Sequence, residues 1–169
     1  MKKNLILVGM MGVGKSTIGR YLSKKLGMAF DDLDKIIEKN TSLSISKIFE
    51  SKGEKQFRLI EEEISLKILK KSGRVVALGG GTFLNERVRK TIKKSSYSFW
   101  LNLPPNQIFK RIKKSQKRPL LKNAKSEKDV EKIYMLRKKI YSLADYEVDC
   151  LNKSRDQIVN NIKNIYENI

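Results

Sequence analysis

The sequence predicts an α/β protein: a parallel sheet with helices packed on both faces, a three-layer α/β/α arrangement. Two observations carry that reading. Short apolar runs rich in β-branched residues alternate with segments of helical period. And 169 residues with 40% hydrophobic content suit one domain around a single sizeable core rather than two.

Five runs read as strands: Lys3 to Val8, Met28 to Asp31, Arg74 to Leu78, Tyr97 to Leu103 and Tyr146 to Cys150. Between the first two, Ile18, Tyr21, Leu22 and Leu26 recur at helical spacing and Gly27 supplies a C-terminal stop, which makes one βαβ unit. The stretch before the third strand divides into a helix from Asp34 to Asn40, a short helix capped by Ser44 or Ser46, and a long helix from about Glu54 to Ser72. The long helix carries Phe57, Ile60, Ile64 and Ile68 and is bracketed by Gly53 and Gly73. Later helices run from Asn85 to Lys94, Pro105 to Lys114, Ser126 to about Ala144, and Arg155 to the end; Ser126 with Asp129 approximates a capping box. Lys113 to Lys125 shows no apolar periodicity and Pro119 breaks any helix through it, so it reads as a basic loop. No internal repeat and no Pro/Ser-rich linker marks a second domain.

Charge and rare residues narrow the chemistry. With 37 Lys and Arg against 18 Asp and Glu, the net charge of +19 raises nucleic acid, an anionic surface or an acidic substrate as partners. Lysines are interleaved with acids in nearly every segment, however. The one denser stretch, Lys110 to Lys128, lacks interleaved aromatics, so most of the charge reads as a solvated surface. There is no histidine and only one cysteine, Cys150. A His general base, a Ser/His or Cys/His dyad, a Cys/His zinc cluster and an intrachain disulfide are therefore excluded. Proton transfer falls to a carboxylate, and a metal would take oxygen ligands. Met1-Lys2-Lys3 ahead of the apolar run Leu5 to Val13 superficially resembles a secretory signal, but no small-residue cleavage site follows and no other run approaches the roughly 20 residues of a membrane span. A cytoplasmic location is expected.

Gly9-Met10-Met11-Gly12-Val13-Gly14-Lys15-Ser16-Thr17 satisfies G-x-x-x-x-G-K-[ST] between a predicted strand and an amphipathic helix, the context the Walker A motif requires. The glycines let backbone N–H groups approach phosphate oxygens, and the helix N-terminus favours the anion. Lys15 reaches the β- and γ-phosphates, and the Ser16 hydroxyl can ligate Mg²⁺. A plain glycine-rich turn would not need Lys followed by Ser.

Asp31-Asp32-Leu33-Asp34 ends the second strand. Strand alternation would turn Asp32 and Asp34 to the same side, beyond the carboxyl ends of the strands where ligands of parallel sheets sit. One carboxylate can support Mg²⁺ while the other accepts the proton of an attacking hydroxyl; helix capping is the competing role. Leu78-Gly79-Gly80-Gly81 follows the third strand without the aspartate of an ordinary Walker B strand, and Asn152-Lys153-Ser154-Arg155 misses the guanine-reading N-K-x-D. Motor-type and GTPase-type proteins are disfavoured, and the glycines instead offer backbone N–H groups to a small polar ligand. Arg58 lies one turn from Glu61 and Glu62, where a surface ion pair is the ordinary expectation. Arg118, beside Pro119 in the basic loop, could close over phosphates or serve only solubility.

Taken together, Gly-x-x-Gly-x-Gly-Lys-Ser-Thr, Asp32-x-Asp34, Phe57-Arg58-x-x-Glu61, Gly79 to Gly81, Arg118-Pro119-Leu120-Leu121 and Arg137 four residues before Tyr141 resemble the shikimate kinases, a P-loop family related to nucleoside monophosphate kinases. The resemblance implies a sheet of order 2-3-1-4-5, a substrate-binding helical segment at about 34–61, a mobile lid at about 113–125, and transfer of the γ-phosphoryl of ATP to the 3-hydroxyl of shikimate. By that likeness Asp34 binds the substrate hydroxyls and acts as base, Arg58 and Arg137 clamp the carboxylate, and Gly80 and Gly81 give backbone contacts between apolar walls of Phe49 and Phe57. Gly12, Val13, Gly14, Lys15, Ser16 and Thr17 hold ATP, Lys15 and Arg118 stabilise the moving phosphoryl group, and Ser16 with Asp32 stands near Mg²⁺. Arg111 and Arg155 are placed near adenine by position alone. Two guanidinium forks facing one carboxylate make chemical sense, since they bind directionally and stay charged. The implied partners are shikimate and ATP, with no nucleic acid and no membrane, for an enzyme working as a monomer.

Two departures stand out. Leu33 occupies a position where the family carries Ser or Thr, which puts a hydroxyl near the metal in question. And Arg137-Lys138-Lys139-Ile140-Tyr141 lacks the proline of the family's R-x-P-L-Y, which predicts a more regular helix. A gluconate or nucleoside monophosphate kinase would retain the phosphate loop without paired arginines, and a basic P-loop protein acting on nucleic acid would be the alternative of a different class.

Overall fold

The computed structural model describes residues 2–113 and 126–169. The five strands are β1 (Asn4–Val8), β2 (Ala29–Asp32), β3 (Arg74–Ala77), β4 (Ser96–Asn102) and β5 (Tyr146–Asp149). They form one parallel sheet in the order β2-β3-β1-β4-β5, the order the resemblance implies. Register is tight: Leu5, Ile6 and Leu7 of β1 lie beside Val75, Val76 and Ala77 on one side and Tyr97, Ser98 and Phe99 on the other. All of β1 is buried, as a central strand covered on both faces requires.

The helices are α1 (Lys15–Leu26), α2 (Leu33–Thr41), α3 (Ile45–Leu69), α4 (Glu86–Ser95), α5 (Pro105–Lys113), α6 (Glu127–Tyr141) and α7 (Arg155–Glu167), with a 3₁₀ turn at Thr82–Leu84. Gly27 ends α1 in the left-handed conformation, φ 60°, as expected of a C-terminal glycine. Helix α1 lies so close to the sheet at Gly19 that a Cβ there would meet the Phe30 ring at 2.4 Å. Among the described residues, no helix is long and apolar enough to cross a membrane.

Several boundaries differ from the sequence reading. Strand β2 runs one residue further, to Asp32, and α2 begins at Leu33 rather than Asp34. Asp32 and Asp34 are therefore not alternate residues of one strand: Asp32 caps α2 by accepting from the Lys35 N–H, and Asp34 sits in its first turn. Between 45 and 69 the two expected helices are nearly continuous, broken only at Gly53, whose φ of 76° and ψ of 169° interrupt the helical path where the sequence placed the division. Ser44, not Ser46, caps this segment. Helix α6 ends at Tyr141, short of Ala144. Its N-terminus has the reciprocal capping box with Asp129 in place of the usual glutamate.

Candidate active site

The loop between β1 and α1 is held in shape by the chain's own contacts. Gly9, Gly12 and Gly14 take φ of 137°, 83° and 105°, a region that side chains strongly disfavour. Lys15, only 6% exposed, donates to the carbonyls of Gly9 (2.7 Å) and Met10 (2.9 Å). Arg111 of α5 donates to the Val13 carbonyl at 3.0 Å, and Ile112 packs at the Gly12 Cα. Arg111, expected near adenine, thus rests on the phosphate loop itself. One cavity is lined by Gly12, Gly14, Lys15, Ser16, Thr17, Asp32, Asp34, Leu78 and Arg111. Both aspartates reach it, brought there by the start of α2 and not by strand alternation.

The glycine triplet explains the rest of the site. Its residues have no left-handed φ; glycine is needed there because Asp34, Glu61 and Thr82 lie against Gly79, the Met11 backbone against Gly80 and the Arg58 guanidinium against Gly81. A Cβ on Gly79 would stand 2.9 Å from Asp34 Oδ1 and 2.8 Å from Glu61 Oε1. One on Gly80 would meet Met11 N at 3.2 Å and Arg137 Nη1 at 3.5 Å, and one on Gly81 would meet the Arg58 guanidinium at 2.5–2.9 Å. Asp34 and Arg58 thus lie against the first and third glycines, with Arg137 in ordinary contact at the second. Arg58 and Arg137 also line a second cavity together with Gly81 and Thr82.

Arg137 donates to the Gly80 carbonyl at 3.1 Å, and the Tyr141 hydroxyl, one turn along α6, donates to the same oxygen. Burial pushes the Tyr141 phenol above its ordinary pKa, against the opposing pull of Arg137, so it remains a donor. Arg137 and Tyr141 stand four residues apart on α6, which keeps both on one face.

Arg58 pairs with Glu61 (2.7 Å) and, one turn back, Glu54 (3.1 Å). Glu62, the other expected partner, instead engages Arg87 and Asn85 because it faces α4. Burial alone would lower the Arg58 pKa, but the two carboxylates outweigh it and hold the guanidinium above its usual value, fully charged. Phe57 lies 5.2 Å beneath Arg58, and its ring centroid is 4.5 Å from that of Phe49.

Arg155, expected as an adenine contact, lies 3.7 Å over the Tyr21 ring and beside Asp156; it is not among the residues lining the phosphate-loop cavity. Leu33 is fully buried in the core, so the residue between the aspartates is not among those that line the phosphate-loop cavity. Arg118, with Pro119 to Leu121 and most of the expected lid, falls outside the described residues.

Glu61, which in the sequence is a motif position and a surface ion-pair candidate for Arg58, does more in the fold. It is 4% exposed, accepting from Arg58 on one oxygen and from Thr82 (2.6 Å) on the other. The available signal was a carboxylate on the apolar stripe Phe57, Glu61, Ile64, Ile68, where an unpaired charge could not be tolerated.

A model of the family described as shikimate kinase matches residues 11–167. The chain belongs to the shikimate kinase family. It is accordingly an ATP-dependent phosphotransferase whose acceptor is shikimate. A shikimate kinase of Thermodesulfovibrio yellowstonii is 38% identical over 167 residues, covering 99% of this chain and 96% of that protein. The structure of a shikimate kinase from Acinetobacter baumannii in complex with shikimate matches with a TM-score of 0.91 at 31% identity, over 99% of this chain and 95% of that one. A gluconokinase from Sinorhizobium meliloti, 12% identical with a TM-score of 0.60 over 98% of this chain and 94% of that one, shares the fold alone. The gluconate alternative thus retains the sheet and loses the sequence likeness that shikimate kinases keep.

Proposed function

We propose that Asp34 is the base of the transfer and that Arg58 and Arg137 clamp the shikimate carboxylate. The observation that carries this is the position of Asp34: it borders the phosphate-loop cavity and lies over Gly79, next in the chain to the glycines beneath the two arginines. Shikimate bound by its carboxylate at that end would present its hydroxyls toward Asp34. The 3-hydroxyl oxygen attacks the γ-phosphorus of ATP, its proton passes to the Asp34 carboxylate, and the bond to the β–γ bridging oxygen breaks, releasing ADP. Phe49 and Phe57 wall the ring, Gly80 and Gly81 supply backbone contacts, and Gly12 to Thr17 with Arg111 hold the nucleotide. Arg118 is kept in its role of neutralising phosphate charge.

A divalent Mg²⁺ fits the donor set. Asp32 and Ser16 line one cavity with Lys15, and the described residues contain no cluster of three acidic, His or Cys side chains that would form an all-protein cage. Mg²⁺ characteristically takes one or two protein oxygens and completes its shell with phosphates and water. When bound it neutralises charge on the β- and γ-phosphates. The enzyme works as a monomer in the cytoplasm.

Purified protein should release ADP in the presence of shikimate and not with gluconate or nucleoside monophosphates; no shikimate-dependent release would overturn the reading. Arg58→Ala should raise the KM for shikimate by about tenfold to a hundredfold, the scale of a charged hydrogen-bonded contact, with the KM for ATP little changed. An unchanged shikimate KM would remove Arg58 from the clamp.

A further inference from the structure

We propose that Thr82 is a positioning residue for the substrate carboxylate, acting through Glu61 on Arg58. The inference rests on the reading of Arg58 as part of the clamp, and it assigns a task to a residue that no motif points to.

Thr82 opens the 3₁₀ turn that follows the glycine triplet and is 1% exposed. Its hydroxyl donates to Glu61 Oε1 at 2.6 Å, while Glu61 Oε2 accepts from Arg58 Nη1 at 2.7 Å. Each carboxylate oxygen therefore has one fixed donor, and a carboxylate held at both oxygens cannot rotate about its terminal torsion. Without the hydroxyl, Oε1 would be buried without that donor, and Glu61 would turn toward Arg58 or toward solvent to recover a partner. Arg58 is the member free to follow, since its second ion pair is with the more exposed Glu54. Moving Glu61 would move the guanidinium over Gly81.

The turn bearing Thr82 is itself an anchored support. The Gly80 carbonyl is held by Arg137 and Tyr141, the Phe83 carbonyl accepts from Arg89 at 2.7 Å, and Asn85 donates to Glu62 at 2.7 Å. The Thr82 hydroxyl therefore ties Arg58 to the same short segment that fixes Arg137. That connection sets the spacing of two guanidinium groups carried by different helices, α3 and α6, and directional recognition of a carboxylate depends on that spacing.

The test uses Thr82→Val, which deletes the hydroxyl and keeps the branched shape, with Thr82→Ser as the conservative variant and Arg58→Ala as the reference. Thr82→Val should raise the KM for shikimate about tenfold, the scale of one charged hydrogen bond, leaving kcat and the KM for ATP within about twofold. Thr82→Ser should restore the shikimate KM. In the Arg58→Ala background, Thr82→Val should add nothing further to that KM, whereas a general loss of packing would add its full effect. If Thr82→Val does not fold, Thr82→Ala provides the same hydroxyl deletion for these measurements. A shikimate KM unmoved by loss of the hydroxyl, while Arg58→Ala raises it, overturns the inference and leaves the clamp standing. If Arg58→Ala also leaves it unmoved, the clamp fails and the inference falls with it.

Discussion

Asp34→Asn should lower kcat by about two to four orders of magnitude, the range of a positioned general base, with ATP affinity nearly unchanged. The amide matches the carboxylate in size, so the contact over Gly79, where Asp34 Oδ1 sits 2.9 Å from the place of a Cβ, is preserved. What is lost is the ability to take a proton. The chain contains no histidine that could substitute, and two carboxylates near Asp34 already have tasks: Glu61, beside it at Gly79, holds Arg58 and Thr82, and Asp32, in the same cavity, caps α2. Steady-state kcat at saturating shikimate and ATP, together with ATP titration by calorimetry, makes the comparison. Near-normal kcat would remove Asp34 from the role of base.

Cys150 gives a contrasting expectation, of inertness. Burial pushes its thiol up to about 12. A free thiol ionises near 8.5, so the folded chain keeps a proton that the unfolded chain loses at higher pH. The resulting contribution to stability is present below about pH 8.5 and declines as pH rises toward 12. In the native protein at about pH 8, just below the free-thiol value, a thiol reagent should react with Cys150 far more slowly than after unfolding in denaturant. Equal rates in the two states would contradict the buried thiol.

Local chemistry made much of the fold legible. The Walker A spacing required a strand before it and a helix after it, Gly27 and Gly53 punctuate where glycine conformations permit, and Ser126 with Asp129 caps α6. The central strands β3, β1 and β4 were recoverable because buried parallel strands are largely continuous apolar runs, whereas the edge strands β2 and β5 are short and partly exposed. The order of the strands was not, because pairing is a long-range property and entered only through family likeness. In the site, family likeness pointed to Asp34, Arg58 and Arg137 as candidates, but not to why the triplet must be glycine. That reason depends on side chains from α2 and α3 and the backbone of the phosphate loop converging on one segment, which no local pattern records. The partner of Arg58 was half legible: helical spacing offered Glu61 and Glu62 equally, and only the packing of α3 against α4 sends Glu62 away. The excess of positive charge, +19, told least, since interleaved lysines on a surface are compatible with many functions.

Lys15→Met tests the other half of the reaction, the handling of the donor, and its expected pattern differs from that of Asp34→Asn. Methionine keeps an apolar stem of similar reach in a position only 6% exposed, so the chain should fold. Two things change. The ammonium that donates to the Gly9 and Met10 carbonyls is gone, and so is the charge available to the β- and γ-phosphates. The first loss is partly covered, because the Val13 N–H donates to the Met10 carbonyl at 3.3 Å and Arg111 holds the Val13 carbonyl, while the positive φ of Gly9, Gly12 and Gly14 persists. The second is not covered, since negative charge accumulates on the leaving phosphate oxygens mainly as the transition state forms. ATP affinity should therefore fall by less than about tenfold, while kcat falls by roughly two to three orders of magnitude, the scale for one preorganised electrostatic contact. Comparing the ATP dissociation constant with kcat separates the two contributions: interactions made equally in ground and transition states alter affinity alone, and those made only in the transition state alter turnover. A loss confined to ATP affinity, with kcat intact, would make Lys15 a ground-state binding residue and return the stabilisation of the transferring phosphoryl group to Arg111, Arg118 and the helix N-terminus.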